Sequence, residues 1–201
     1  STNASTTDIE NITIKDEVSG STAVGIMTGY VGNLGTSSMV FNNVKTSGKA
    51  TNKGAYTGGI IGELYNSSSG NVTLINSNTS GVVSGNTYSG GIIGYVNNVG
   101  LGSTNLTKLY SNGDVNGTGD YTAGVIAVSN NTAKGKVNID QVYTTSKVEG
   151  LTNVGGFIGT GTYNTITNTY TYGSVAGTTN VGGYASSLTN CNVSTSYTFD
   201  Y

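Results

Sequence analysis

A repeat of roughly 32 residues runs along the chain and limits the folds open to it more than any other feature. Each repeat contains a short apolar block with glycines, and its clearest form is the string GGIIG at residues 58–62 and 90–94. Successive blocks lie 33, 32, 33, 32 and 27 residues apart. A fixed period of this length is typical of solenoids, propellers and other repeat architectures.

Two further columns keep a fixed distance to the glycine blocks. A V-x-G pattern stands seven or eight residues before each block, with Ala50-Thr51-Asn52 as its degenerate copy. Nine residues before that pattern lies a column of apolar residues: Ile9, Phe41, Leu74, Leu106, Ile139 and Ile166, with Val193 opening a seventh copy that stops short. Three columns in one register imply that equivalent residues of successive repeats occupy equivalent positions.

The local pattern favours strands over helices. Helical repeats need amphipathic stretches of ten or more good helix formers, and the sequence has none. Its apolar residues come in bursts of one to three, separated by Gly, Asn or Ser, which is typical of short strands and tight turns. We therefore predict an all-β, single-stranded β-solenoid (β-helix) of about six coils, roughly 32 residues per coil, with a partial seventh. The predicted boundaries are a polar N-terminal segment at 1–8 and the solenoid at 9–201.

Composition agrees with a narrow core. Only 35% of the residues are hydrophobic and 9% are charged, with a net charge of -2, so the chain has neither a conventional core nor the charge of a disordered segment. Glycines at the sharp corners can supply positive φ angles or leave room between stacked backbones. Ala123 and Ala127 in one block indicate that a small side chain matters more at these positions than a positive φ angle. The glycines assigned to this structural repeat are Gly25, Gly29, Gly58, Gly59, Gly62, Gly90, Gly91, Gly94, Gly124, Gly155, Gly156, Gly159, Gly182 and Gly183.

Missing residue types argue against several functions. Without histidine or arginine, the chain lacks the usual general base, the imidazole metal ligand and the bidentate phosphate clamp. Its acidic residues do not align into one cluster, so we expect no enzyme, no cofactor and no metal site. Eight lysines against ten acids make nucleic acid an unsuitable partner, and no apolar run is long enough to span a membrane.

The repeat resembles the GLUG motif of bacterial cell-surface and secreted proteins. The similarity rests on G-G-[IVF]-I-G preceded by V-x-G, and it is clearest in VEGLTNVGGFIG at 148–159 and YSNGDVNG at 110–117. It covers about 9–201. Such repeats occur in large adhesins and in noncatalytic regions of secreted peptidases, so the resemblance implies an extracellular or cell-surface stalk-like module and no catalytic residue.

Two features are candidates for a binding surface. The first four repeats carry about five extra residues at one corner, within 30–40, 63–73, 95–105 and 128–138, and such insertions fall on one face of a solenoid. Tyr56, Tyr88 and Tyr121 stand in matching positions before their glycine blocks and could form an exposed aromatic ladder. Longer strands or a half-buried stack that stabilises a turn are the alternative interpretations.

Two functions follow as hypotheses. The first is a noncatalytic adhesin or stalk module that presents loops to a host protein, a cell-surface protein or a glycan. The second is a self-assembling filament subunit, whose partner is a copy of itself stacked end to end. The second hypothesis arises because the last repeat lacks a proline or a charge cluster to cover its strand edge. The competing explanation of this edge is that the chain is a segment of a larger surface protein, which agrees with the first hypothesis.

Overall fold

The protein is a parallel β-solenoid, as the sequence predicts. The computed structural model describes residues 5–132 and 134–199, and all regular structure in these ranges is strand. The predicted segments at 1–8 and 9–201 extend outside the described residues at 1–4, 133 and 200–201. Within the described part, Thr6, Thr7 and Asp8 already belong to the first strand, where they pair with the second coil.

The strands are numbered along the chain and grouped by coil. The first three coils contain β1 (Thr6–Gly20), β2 (Ala23–Gly25) and β3 (Thr28–Asn33); β4 (Ser38–Asn52), β5 (Tyr56–Gly58) and β6 (Ile61–Asn66); β7 (Val72–Thr79), β8 (Val82–Gly85), β9 (Tyr88–Gly90) and β10 (Ile93–Asn98). The following coils contain β11 (Ser103–Ser111), β12 (Val115–Gly117), β13 (Asp120–Ala123) and β14 (Ile126–Asn131); β15 (Lys136–Thr144), β16 (Val148–Glu149), β17 (Thr152–Gly155) and β18 (Ile158–Thr162); β19 (Asn164–Tyr172), β20 (Val175–Ala176), β21 (Thr179–Gly182), β22 (Ala185–Thr189) and β23 (Asn192–Phe199).

Three parallel sheets enclose the core. Sheet A contains the long strands from β1 to β23 and the short strands β8, β12, β16 and β20, which join it because β4 is long enough to pair with both β7 and β8. Sheets B and C each stack six strands, from β2 to β21 and from β3 to β22. Six stacked strands make five coil-to-coil steps, and β23 adds the beginning of a further coil. Each coil therefore contributes about 4.8 Å to the length of the rod.

The strand register confirms the predicted columns. Ile9, Phe41, Leu74, Leu106, Ile139, Ile166 and Val193 pair in one continuous series across sheet A. The V-x-G column, from Val18 through Ala50 to Val175, is likewise continuous. Between the two ends of the rod the residues of both columns are buried. The Ile9 column belongs to the main hydrophobic cluster together with Ile and Leu from sheet C, whereas Ala50 of the V-x-G column packs in a second, smaller cluster with Val24 and Ile26. Burial of these few columns accounts for a stable fold at low overall hydrophobicity.

A left-handed residue interrupts sheet A at the same place in every coil. The residues with φ between 50° and 59° in this column are Asn11, Asn43, Asn76, Lys108, Gln141, Asn168 and Thr195. Each one resets the alternation of inward and outward side chains, so that Leu106 and Leu109, three residues apart, are both buried. Asparagine accepts this conformation readily, whereas lysine and glutamine do so at a cost.

The paired glycines lie at the corner between sheets B and C. Gly58, Gly90, Gly155 and Gly182 end strands of sheet B, and the second glycine of each pair follows in the turn. A Cβ atom at Gly91 would overlap the carbonyl group of Gly124 on the next coil. Among the described glycines only Gly48 has φ in the left-handed region, so close stacking of the backbones, rather than a positive φ, explains the glycines of this corner. Ala123, which pairs with Gly90 and Gly155, shows that a methyl group is accommodated in the first glycine column of one coil.

A buried asparagine organises the corner between sheets C and A. The Nδ2 groups of Asn33, Asn66, Asn98 and Asn131 each donate to a backbone carbonyl four residues later, at 3.0, 3.3, 3.0 and 3.2 Å. The extra residues of the first four repeats fall here, because sheets C and A are joined by longer loops in these repeats than in the next two. These loops are therefore tied to the core by buried hydrogen bonds.

Candidate functional site

The structure places the three predicted tyrosines together on the outer surface of sheet B. The rings of Tyr56 and Tyr88 stack with centroids 5.1 Å apart, and those of Tyr88 and Tyr121 with centroids 5.2 Å apart. All three side chains are half-buried. The column continues as Asn153 and Asn180, whose side chains are hydrogen-bonded at 3.0 Å. The aromatic part of the column thus covers three coils.

Two residues of sheet C extend this tyrosine column around the corner. The ring of Tyr95 lies 5.1 Å from that of Tyr56 and 5.5 Å from that of Tyr88. Glu63 pairs with Tyr95 in the neighbouring strand, and its burial raises the pKa of its carboxyl group above the ordinary value of 4.5. Burial first, and then the charge of Glu63, raises the pKa of Tyr56. We refer to Tyr56, Tyr88, Tyr95 and Tyr121 as the corner patch.

The loops between sheets C and A present two leucines to solvent. Leu34 is 70% exposed and Leu101 is 71% exposed, at equivalent corners of the first and third coils. The loop at 132–135 includes a residue outside the described part of the chain. These loops are held from within by the asparagines described above, so their outer side chains are displayed on a fixed backbone.

A second tyrosine ladder, which was not predicted from the sequence, lies on the outer surface of sheet A. Tyr110, Tyr143, Tyr170 and Tyr197 pair in register. The ring centroids of Tyr110 and Tyr143 are 4.5 Å apart, and those of Tyr143 and Tyr170 are 4.7 Å apart. The signal was present in the sequence, because each of these tyrosines follows a residue of the Ile9 column by four positions.

An open groove of about 510 Å³ runs along this second ladder, and we call it the sheet A groove. One side is formed by the tyrosines, and the other by the left-handed residues Asn76, Lys108, Gln141 and Asn168. The groove exists because the left-handed residue bends each strand at the same position. Coil stacking extends this bend into a continuous channel along the rod.

Both ends of the described solenoid expose apolar side chains. At the β1 end, an open cavity of about 340 Å³ is lined by core residues that include Ile9, Ile12 and Phe41. At the β23 end, Tyr197 is 57% exposed and Phe199 is 55% exposed. No residue described between 173 and 199 is charged, whereas β1 carries four carboxylates and one lysine.

The described residues contain no group of three or more His, Cys, Asp or Glu side chains that could hold a metal ion. Nor does this part of the chain include a helix that is long and apolar enough to cross a membrane. A scan with models of protein families finds no match, and comparisons with curated proteins and with solved structures find none either.

Proposed function

We propose that the chain is a noncatalytic extracellular β-solenoid module of a cell-surface adhesin or stalk. The observation that carries this proposal is the uninterrupted stacking of coils, which keeps outward side chains at fixed positions along a rod. The corner patch gives this rod a surface suited to contact, because stacked tyrosines offer a broad, rigid area with polar hydroxyl groups. The resemblance to GLUG repeats of bacterial surface proteins stays a prediction and agrees with this role.

Rigid presentation distinguishes this module from a flexible linker. The loops at the corner of sheets C and A are fastened by buried asparagines, and the corner patch is fastened by ring stacking across coils. Little conformational entropy is therefore lost when a partner binds to either surface. Such a surface suits contact with a protein or glycan on another cell.

Beads coated with the chain provide a direct test of adhesion. We expect coated beads to adhere to epithelial or bacterial cell layers in larger numbers than albumin-coated beads. The double variant Tyr88→Ala and Tyr121→Ala should reduce this number several-fold, whereas Tyr65→Ala, on the outer surface of sheet C, should not. Adhesion at the albumin level on both kinds of cell would refute the proposal.

A self-assembling filament is the second candidate, and the exposed apolar ends favour it. End-to-end stacking would cover the cavity beside Ile9 and Phe41 as well as the side chains of Tyr197 and Phe199. Light scattering and electron micrographs of the purified chain over a range of concentrations test this idea. Rods that lengthen with concentration support it, and short monodisperse rods at every concentration contradict it.

A further inference from the structure

We infer that the sheet A groove binds a linear, uncharged oligosaccharide lying along the axis of the rod. This inference deepens the proposed adhesive function and rests on it for its biological purpose. The groove is bordered by the left-handed column on one side and by Tyr110, Tyr143 and Tyr170 on the other. From the coil of Asn76 to that of Asn168 it extends over three coil-to-coil steps, or about 14 Å.

The orientation of two amides in the groove follows from the charge of Asp140. A carboxylate can only accept hydrogen bonds, so the amide nitrogens of Gln141 and Asn168 must face it, at 3.3 and 2.8 Å. Hydrogen bonds from Thr167 and Asn168 lower the pKa of Asp140, which keeps this acceptor ionised. The amide oxygens of Gln141 and Asn168 accept no hydrogen bond within the described residues, and both side chains are exposed.

Asn76 is oriented by a similar chain of contacts. Its Nδ2 group donates to Oδ1 of Asn42 at 3.0 Å, and Nδ2 of Asn42 donates to Glu10 at 3.2 Å. The carboxylate of Glu10 thus fixes both amides, and the oxygen of Asn76 is left without a donor in the described part of the chain. Three fixed acceptors therefore lie along one side of the groove, and they call for a ligand with a row of hydrogen-bond donors.

Sugar hydroxyl groups fit these acceptors better than other polymers do. A nucleic acid or an acidic polymer would require several cations, but Lys108 is the only charged residue that lines the groove. An extended peptide binds a sheet by pairing with a free edge, whereas β7, β11, β15 and β19 are paired on both sides here. A polyhydroxylated chain needs neither cations nor an edge.

The tyrosine side of the groove complements this assignment. Because the ring of Tyr143 lies between that of Tyr170, on which it stacks, and that of Tyr110, which is tilted by 32°, its two faces are covered, and it presents its edge and its hydroxyl group. We expect contacts from ring edges and hydroxyl groups along the length of the sugar chain rather than stacking of a sugar on each ring. In the preceding coil the residue that pairs with Tyr110 is Asn78. On that side, therefore, no ring of the column covers the ring of Tyr110.

Isothermal titration calorimetry with four neutral hexasaccharides tests the inference: cellohexaose, xylohexaose, mannohexaose and chitohexaose. We expect saturable binding of at least one, with a Kd in the roughly millimolar range or tighter. The triple variant Asn76→Gly, Gln141→Gly and Asn168→Gly keeps the left-handed backbone and removes the amides, and should weaken binding about tenfold or more. Tyr143→Phe keeps the ring stack and should weaken binding less than the triple variant.

Control variants outside the groove should leave the affinity unchanged. Tyr65→Ala removes a tyrosine and Asn130→Ala removes an exposed amide, both from the outer surface of sheet C. Failure of all four neutral sugars to bind would overturn the inference, and so would binding that the triple variant retains in full. Tighter binding of hexagalacturonate than of every neutral sugar would also overturn it, because the charge of Lys108 would then dominate.

The bead assay separates this inference from the proposed function. Cell adhesion without binding of any hexasaccharide would refute the groove and leave the adhesive role standing. Binding of a hexasaccharide by beads that adhere to no cell would support the groove and refute the adhesive role. If both hold, the triple glycine variant shows whether adhesion depends on the groove.

Discussion

The hydroxyl group of Ser111 donates a 2.6 Å hydrogen bond to the carbonyl oxygen of Gly124, across the interior of the rod. The same contact occurs two coils earlier, where Thr46 donates to the carbonyl of Gly59 at 2.7 Å. These hydroxyl groups belong to a buried column in sheet A, and they fasten this sheet to the glycine corner opposite. The corner is therefore held by side-chain hydrogen bonds as well as by backbone stacking.

Ser111→Ala should lower the free energy of unfolding by roughly 1–3 kcal/mol, because it leaves a buried carbonyl oxygen of Gly124 without its donor. Urea denaturation followed by circular dichroism measures the change. Ser187→Ala is the matched control, since Ser187 is exposed and should give a change near zero. Equal midpoints for the two variants would contradict the proposed role of Ser111.

Thr122→Val and Thr144→Val should change stability in opposite directions. The hydroxyl group of Thr122 is fully buried and has no hydrogen-bond partner, and valine already occupies the same column at Val154. Its replacement should stabilise the fold by up to about 1 kcal/mol. Thr144 is equally buried, but its hydroxyl group is hydrogen-bonded to Ser111 at 2.9 Å, so its replacement should cost roughly 1–3 kcal/mol. Thermal and urea unfolding measure both changes in stability. A change of the same sign in the two variants would contradict the prediction.

Gly91→Ala should destabilise the rod by about 1–3 kcal/mol or more, because the new Cβ atom would overlap the backbone of Gly124. Gly35→Ala is the control, since a Cβ atom there meets nothing within 4 Å, and it should change stability by less than about 1 kcal/mol. Both are compared by urea denaturation. A tolerated Gly91→Ala would show that adjacent coils can move apart at this corner.

Glu63→Gln should change the pH dependence of stability and the titration of Tyr56 and Tyr30. Since burial raises the pKa of Glu63, the folded chain holds this proton more tightly than the unfolded chain. The wild type therefore loses stability as pH rises from 4.5 through the raised pKa, and the glutamine variant should not. Unfolding midpoints measured across this pH range test the first expectation.

The tyrosine titration is a second test of the Glu63→Gln variant. The negative charge of Glu63 contributes to the raised pKa of Tyr56 and of Tyr30, so its removal should lower the tyrosinate transition measured by ultraviolet absorbance. Glu149→Gln, which removes a carboxylate paired with Lys147 at 2.7 Å elsewhere on the surface, should leave that transition in place. Identical titrations for wild type and Glu63→Gln would disprove the electrostatic coupling.

The parts of this fold that the sequence predicts are those in which side-chain type follows position. Ile, Leu and Val recur at buried positions of every coil, so the period reveals the columns, the register and the solenoid itself. The left-handed column was not predicted, because Asn43, Lys108 and Thr195 share a backbone conformation without sharing a side-chain type. Stacking on the neighbouring coil imposes that conformation, and the local sequence does not encode it clearly.

The candidate surfaces, too, could be predicted from the sequence only in part. The match of Tyr56 with Tyr88 and Tyr121 was visible in the sequence, but the contribution of Tyr95 depends on how sheets B and C meet. Tyr110, Tyr143 and Tyr170 also recur in register, and could have been found by extending the column comparison by four residues. The groove beside them could not, since it depends on the bend in each strand.

The coil-by-coil arrangement has a mechanical consequence. A coil of roughly 32 residues adds about 4.8 Å to the rod while folded, but about 100 Å of contour length once it is pulled out straight. Because each coil contacts only its neighbours, we expect tension applied between the two ends to remove coils one at a time, beginning at the ends. The chain should then lengthen under load in similar steps while its remaining coils stay folded. The solenoid fold thus stores a large reserve of extension in a short length.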